Sequence, residues 1–294
     1  MNNSQSEKTT FKSAWQKLEN TKKLPSRIRN LITIESKEFE EKVFKEESSF
    51  VEEITNSIFS GDCYIIKNAF SKKFMKDLRD NTFSYFKNKP STFHKMIEKC
   101  PNFHRKIDKE IGKKYSFEVI KHAFYFFPWN KDELKIFKPI NEKWRTIKKL
   151  MGLKFDEFEK NTPKDGIVDR IQVVQYPSRD GFLETHTDPY KFQRFFISGY
   201  MSKRGEDYNG GGFYFSDKND QNLNVEDSID IGDLGIGYAT VAHGVAPVNL
   251  DKVPNFDDKN DGRWFLGLYS NQSDEVKVRH TGKAVKSLYT HERI

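Results

Sequence analysis

The spacing of apolar positions changes near residue 160. Upstream they recur every three to four residues. Ser48 or Ser49 precedes Ile54 and Ile58, with Glu52 and Glu53 in the first turn and Gly61 beyond, which predicts a helix capped by one of the serines. Ser71 with Phe74, Leu78, Phe83 and Phe86 predicts a second amphipathic helix, and Trp144, Ile147, Leu150 and Met151 a third. Between the first two, Cys63-Tyr-Ile-Ile-Lys67 reads as a short strand. Downstream of about residue 165, short runs of β-branched and aromatic residues are separated by Gly, Asp, Asn and Pro. These are Ile167–Tyr176, Phe182–Thr187, Arg194–Met201, Gly212–Phe215, Ile229–Ile231, Tyr238–Ala242 and Trp264–Ser270. Strands at this spacing predict an antiparallel sandwich or barrel, not parallel strand–helix–strand units. The expectation is a single domain over 1–294, with a mainly helical part at 1–160 packed around a β core at 165–272.

Charge follows the same division. Residues 1–160 carry 34 Lys and Arg against 23 Asp and Glu, whereas 161–294 carry 16 against 20, so the overall +7 hides a basic half and a mildly acidic one. A basic balance admits nucleic acid, anionic membranes or acidic small molecules as partners. With the site candidates in the acidic half, nucleic acid is not favoured. Two cysteines, Cys63 and Cys100, are too few for a disulfide scaffold or a four-thiolate zinc site. No apolar run approaches the roughly 20 residues of a membrane span, and the opening MNNSQSEKTTFK lacks the apolar core of a secretory signal. The expected setting is cytoplasmic, with no membrane partner; oligomeric state is open.

The sharpest local feature is Leu183-Glu-Thr-His186-Thr-Asp188-Pro. Side chains alternate faces in a strand, so His186 and Asp188 project together and present an imidazole nitrogen and a carboxylate oxygen to one metal ion. His243 lies in an apolar segment where an unpaired imidazole is costly to bury. Each alone also fits a plain structural role; together, two His and one carboxylate are the set expected for a facial triad on non-haem Fe(II). In Gly262-Arg263-Trp-Phe-Leu-Gly-Leu-Tyr-Ser270, Arg263 shares a strand face with Phe265, Gly267 and Tyr269. If that face turns inward, the guanidinium meets a carboxylate bidentately. Arg170, Gln172, Tyr190 and Arg194 fall near the same cavity and are candidate substrate contacts. His94, His104, His122, His280 and His291 are assigned surface or structural roles, and Cys63 a buried, inert one.

This order of His-x-Asp, a Gly-rich turn (Asp207-Tyr-Asn-Gly-Gly-Gly-Phe-Tyr-Phe215), a distal His and an Arg resembles the Fe(II)- and 2-oxoglutarate-dependent dioxygenase superfamily. Gln175-Tyr176-Pro, ten residues before His186, is similar to its prolyl-hydroxylase-like and phytanoyl-hydroxylase-like branches. The resemblance covers roughly 165–272, with a fainter likeness at Gly61–Ser71. It implies an α+β fold built on a double-stranded β-helix, a jelly roll of the cupin type. It also implies that His186, Asp188 and His243 are metal ligands and catalytic, and that Arg263 and Tyr176 hold 2-oxoglutarate. Two departures stand out. Arg263 lies 20 residues after His243 where about ten is usual, which requires Asn249–Asp261 to be a looped insertion. The hydroxyl expected two residues after the Arg is Phe265, leaving Tyr176 to serve, with Lys252 or Arg279 as the fallback cation.

The implied activity consumes Fe(II), 2-oxoglutarate and O2, releases succinate and CO2, and hydroxylates, desaturates or cyclises an unactivated C–H position. The expected substrate is a small molecule, such as an amino-acid-derived or carboxylate-bearing metabolite. A protein or nucleic-acid substrate, and a non-catalytic β-barrel binding protein, are the alternatives.

Overall fold

The computed structural model describes residues 9–285; His291 and the first eight residues of the opening segment lie outside them. In chain order the helices are α1 (Phe11–Thr21), α2 (Ser36–Lys45), α3 (Ser48–Phe59), α4 (Lys72–Phe86), α5 (Lys109–Gly112) and α6 (Phe137–Leu150). The strands are β1 (Leu31–Glu35), β2 (Cys63–Lys67), β3 (Phe103–Ile107), β4 (Val119–Phe126), β5 (Ile167–Tyr176), β6 (Phe182–Thr187) and β7 (Phe195–Tyr200). They continue with β8 (Gly212–Ser216), β9 (Asn222–Asn224), β10 (Leu234–Tyr238), β11 (His243–Ala246), β12 (Arg263–Gln272) and β13 (Lys283–Ala284).

The strands form one continuous path, β1-β2-β10-β7-β12-β5-β4-β6-β11-β8-β9, with β3 added to β4 and β13 to β6. Apart from the parallel β1–β2 edge, every pairing is antiparallel. The path folds back on itself at β4. Its first residues, Val119 and Ile120, pair with β6, while His122–Phe126 pair with β5. Two sheets therefore face each other across a common interior, the jelly roll implied by the resemblance. The longest pairing, β5 with β12, sets Tyr176 opposite Arg263, Val174 opposite Phe265, Gln172 opposite Gly267 and Arg170 opposite Tyr269. Directly opposed residues share a face, so these eight form one inward stripe.

The outward stripe of the same strands packs under helices. Trp264 meets Phe83 of α4 and stacks on Phe124, and Lys148 of α6 forms a buried ion pair with Asp169, whose other oxygen accepts from Ser270. Trp15 of α1 packs on Phe195 and Tyr238 and donates to the Leu150 carbonyl at 2.7 Å. The helices thus cover the back of the larger sheet and leave its concave face to the cavity.

Several elements match the expected boundaries: β5 and β6 do so at both ends, and Ser71 caps α4 by accepting from the Phe74 amide. Others differ. Ser48 is the first helical residue of α3, whose cap position is Glu47 with no side-chain cap bond. Ile229–Ile231 is not a strand, and Tyr238–Ala242 is the junction between β10 and β11, so His243 opens a new strand. The first 160 residues supply four strands as well as all six helices. β4 escapes a period-two reading because both its faces are apolar: Ala123 and Tyr125 point inward, Phe124 and Phe126 outward, and all four are buried.

Candidate metal centre

Strands β6 and β11 are neighbours, and their register sets His186 opposite His243. With Asp188, just beyond the end of β6, they form a group whose ligand atoms all lie within 4.8 Å of one another. The His186 Nε2 lies 3.6 Å from Asp188 Oδ1, and the His243 Nε2 3.8 Å from Asp188 Oδ2. Each imidazole is oriented from behind: the Nδ1 of His186 meets the Glu184 carbonyl at 3.0 Å and that of His243 the Val241 carbonyl at 2.9 Å. A carbonyl only accepts, so both Nδ1 atoms carry the proton, and both Nε2 lone pairs face the shared centre. Burial and the neighbouring His186 push His243 down to about 4, keeping it neutral and able to ligate. Burial alone would raise Asp188. Polar contact with His186 and the nearby Lys121 charge outweigh it and hold the carboxylate below its usual range. Imidazole nitrogens from two His and a carboxylate from one Asp suit a divalent metal with open positions.

The ligands sit in an enclosed cavity between the sheets, lined also by Tyr176, Phe196, Phe213, Val245, Arg263 and Tyr269. Roomier clefts elsewhere, such as that between α1 and α3, contain no comparable ligand group among the described residues.

Arg263 opens β12 and is 2 % exposed. Its position depends on Gly262, whose φ of +74° and approach to the Tyr176 carbonyl leave no space for a Cβ, which would fall 1.9 Å from that oxygen. The Nε of Arg263 donates to Glu226 Oε1 at 2.7 Å, and Glu226 also accepts from the Tyr208 hydroxyl and the Phe213 amide. The hydroxyls of Tyr176 and Tyr200 are buried without partners, and the Arg263 guanidinium lies 5.8 Å from the centre of the Tyr200 ring. An arginine with two unmatched hydroxyls fits an incoming carboxylate. Residues 247–262 form the irregular insertion anticipated from the spacing, pinned where Asn249 donates to Ser178 and Asp261 accepts from the Ser178 and Asn255 amides.

The other candidates disperse. Arg170 and Gln172 lie on the inward stripe of β5. Arg194 forms a bidentate pair with Glu19 of α1 at 2.6 and 3.0 Å and donates to the Met151 carbonyl, tying α1 to the end of α6. Tyr190 is half exposed, 6.3 Å ring to ring from Tyr238. Lys252 is on the surface, and Arg279 pairs with Asp274. His104 and His122 are buried together, Nδ1 to Nε2 at 2.7 Å, remote from the metal ligands on the outward face of β4.

Sequence reasoning missed three residues here. Lys121 and Tyr125 belong to the strand hidden in the basic half. Glu226 sits in a short 3-10 turn within an acidic stretch, where nothing local marks it as the counter-ion of an arginine 37 residues on.

No protein-family model matches the chain, and no curated protein matches it. Among solved structures it is similar to a full-length Neurospora crassa protein in complex with alpha-KG and thymine, at 14 % identity over 92 % of each chain with a TM-score of 0.48. It is similar to a prolyl-4-hydroxylase of Pseudomonas putida at 11 % identity, over 71 % of this chain and 92 % of that one, with a TM-score of 0.45. It is also similar to a putative 2OG-Fe(II) oxygenase family protein of Caulobacter crescentus at 12 % identity, over 85 % and 88 %, with a TM-score of 0.44.

Proposed function

We propose that this protein is a non-haem Fe(II) oxygenase that uses 2-oxoglutarate and O2 to oxidise an unactivated C–H bond of a small molecule. The observation that carries the reading is the convergence of His186, Asp188 and His243 on one centre, with both imidazoles turned Nε2-inward by backbone carbonyls. Bound iron would supply dioxygen activation coupled to oxidative decarboxylation of the cosubstrate. The chain's own contribution is placement. His186, Asp188 and His243 would hold the metal from one side and leave the other open. Arg263, steadied by Glu226, and the unpartnered Tyr176 hydroxyl would orient the distal carboxylate of 2-oxoglutarate. Phe196, Phe213 and Val245 line the same cavity and would keep water from it.

Anaerobic addition of Fe(II) and 2-oxoglutarate should give the weak visible charge-transfer band of the chelate, and His186→Ala should abolish it with the fold intact by circular dichroism. A well-folded wild-type protein without the band refutes the reading. Succinate release over a metabolite panel, with His186→Ala as the blank, then identifies the substrate; release only with a polypeptide or nucleic acid would overturn its small-molecule part.

A further inference from the structure

Most half-buried or buried cations of this protein have a carboxylate: Arg263 has Glu226, Lys148 has Asp169, Arg194 has Glu19 and Arg145 has Glu159. Two on the inward face of β4 and β5 do not. Arg170 lies on the inward stripe of β5 with its guanidinium over the rings of Tyr125, at 5.5 Å, and Tyr269, at 5.0 Å. Its Nε is buried with no hydrogen-bond partner. Lys121 lies on the inward face of β4, the next strand, because His122 beside it pairs with the outward-facing Gln175. Burial, then repulsion from Arg170, pushes its amine down to about 8 against the pull of Asp188. Neither side chain forms a hydrogen bond or ion pair among the described residues. A third cation, Arg105 of β3, stands beside them with its Nη1 on the Tyr115 hydroxyl at 3.0 Å.

Like charges within electrostatic reach of one another and withdrawn from water without a counter-ion are costly, and an arriving anion removes that cost. The flanking rings hold the Arg170 fork flat and in place, which lowers the ordering entropy of a two-point contact. Lys121 is also within electrostatic reach of Asp188.

We propose that Lys121 and Arg170 anchor an anionic group of the substrate, a carboxylate or phosphoryl group, with Tyr125 and Tyr269 as the aromatic wall beside it. This rests on the oxygenase reading and gives that site its substrate class: small molecules carrying a negative charge near the C–H bond to be oxidised.

The test is calorimetric titration of anaerobic protein saturated with Fe(II) and 2-oxoglutarate, using benzoate, inorganic phosphate and neutral benzamide as probes. At least one anion should bind, with benzamide ~10-fold weaker or more, and the stronger anion tells carboxylate from phosphoryl. Arg170→Met and Lys121→Met should each weaken that anion ~10- to 100-fold, the range of a charge-assisted hydrogen bond, while the visible chelate band is kept and the melting temperature does not fall. Benzamide binding as well as benzoate, binding of neither anion, or anion binding indifferent to Arg170→Met would overturn the proposal. The comparison of benzoate with benzamide on the wild-type protein stands even if a variant misfolds. A missing chelate band is the separate failure of the oxygenase reading, and the titration can then be run on metal-free protein.

Discussion

Replacing Glu226 by Gln would test how the arginine at the head of β12 is held. Glu226 accepts from Arg263, Tyr208 and the Phe213 amide while itself nearly inaccessible, and Arg263 is as deeply buried. Gln preserves the shape and one acceptor oxygen but leaves the guanidinium without a counter-ion. Breaking a buried pair from one side costs ~3–5 kcal/mol, and the retained acceptor puts this variant near the lower end. For a chain of this size ~3 kcal/mol lowers the melting midpoint by roughly 5–9 °C. A ligand carboxylate bound at Arg263 would restore the missing charge, so 2-oxoglutarate should stabilise Glu226→Gln more than wild type, with an apparent Kd ~10-fold tighter for the variant. Scanning calorimetry across a 2-oxoglutarate series measures both quantities. A variant as stable as wild type would refute the energetic reasoning. Equal stabilisation of both proteins by 2-oxoglutarate would refute the placement of its carboxylate at Arg263.

Two further substitutions probe other parts of the molecule. Burial, with the nearby charges of His104 and Lys106, pushes His122 down to about 3 from 6.5. The unfolded chain therefore takes up a proton below pH 6.5 that the folded chain refuses until about pH 3. The stability this histidine provides is fully present above pH 6.5 and is lost as pH falls through that window, at up to ~1.4 kcal/mol per pH unit. Denaturant titrations between about pH 7 and 4 should show that slope, and His122→Gln, which can still donate to His104, should flatten it. Arg194→Met should lower stability by ~1 kcal/mol through loss of the partly exposed pair with Glu19 and leave succinate release with the identified substrate unchanged. A large loss of turnover without unfolding would return Arg194 to the substrate contacts.

The legible parts of this fold are those where one physical signal dominates. β6 reads from its sequence because a polar pair on a strand, followed by Pro189, is unusual enough to stand out. β5 reads because ten residues of β-branched and polar character end at a proline. The junction at Ala239–Ala242 does not, since an apolar run without Gly or Pro hides a turn whose amides bond to distant carbonyls, as Ala242 does to Ser26. The candidate metal ligands stand out by residue type. Lys121 does not, because a lysine in a basic region looks like solvated surface until the strand pairing turns it inward. Glu226 is visible only once two strands bring it to Arg263.

β4 belongs to both sheets, pairing with β6 at its start and with β5 along the rest, and Lys121 sits at the changeover. A strand shared in this way is a ruler: a slip of one residue would turn its entire inward set outward in both sheets at once. Lys121 and the candidate metal ligands are therefore kept at a fixed spacing although they come from separate stretches of the chain. The three candidate metal ligands come from the later strands, and Lys121 from this earlier one. A change of residue type at 121 would alter the charge that this strand presents to the interior while leaving the pairing of both sheets intact.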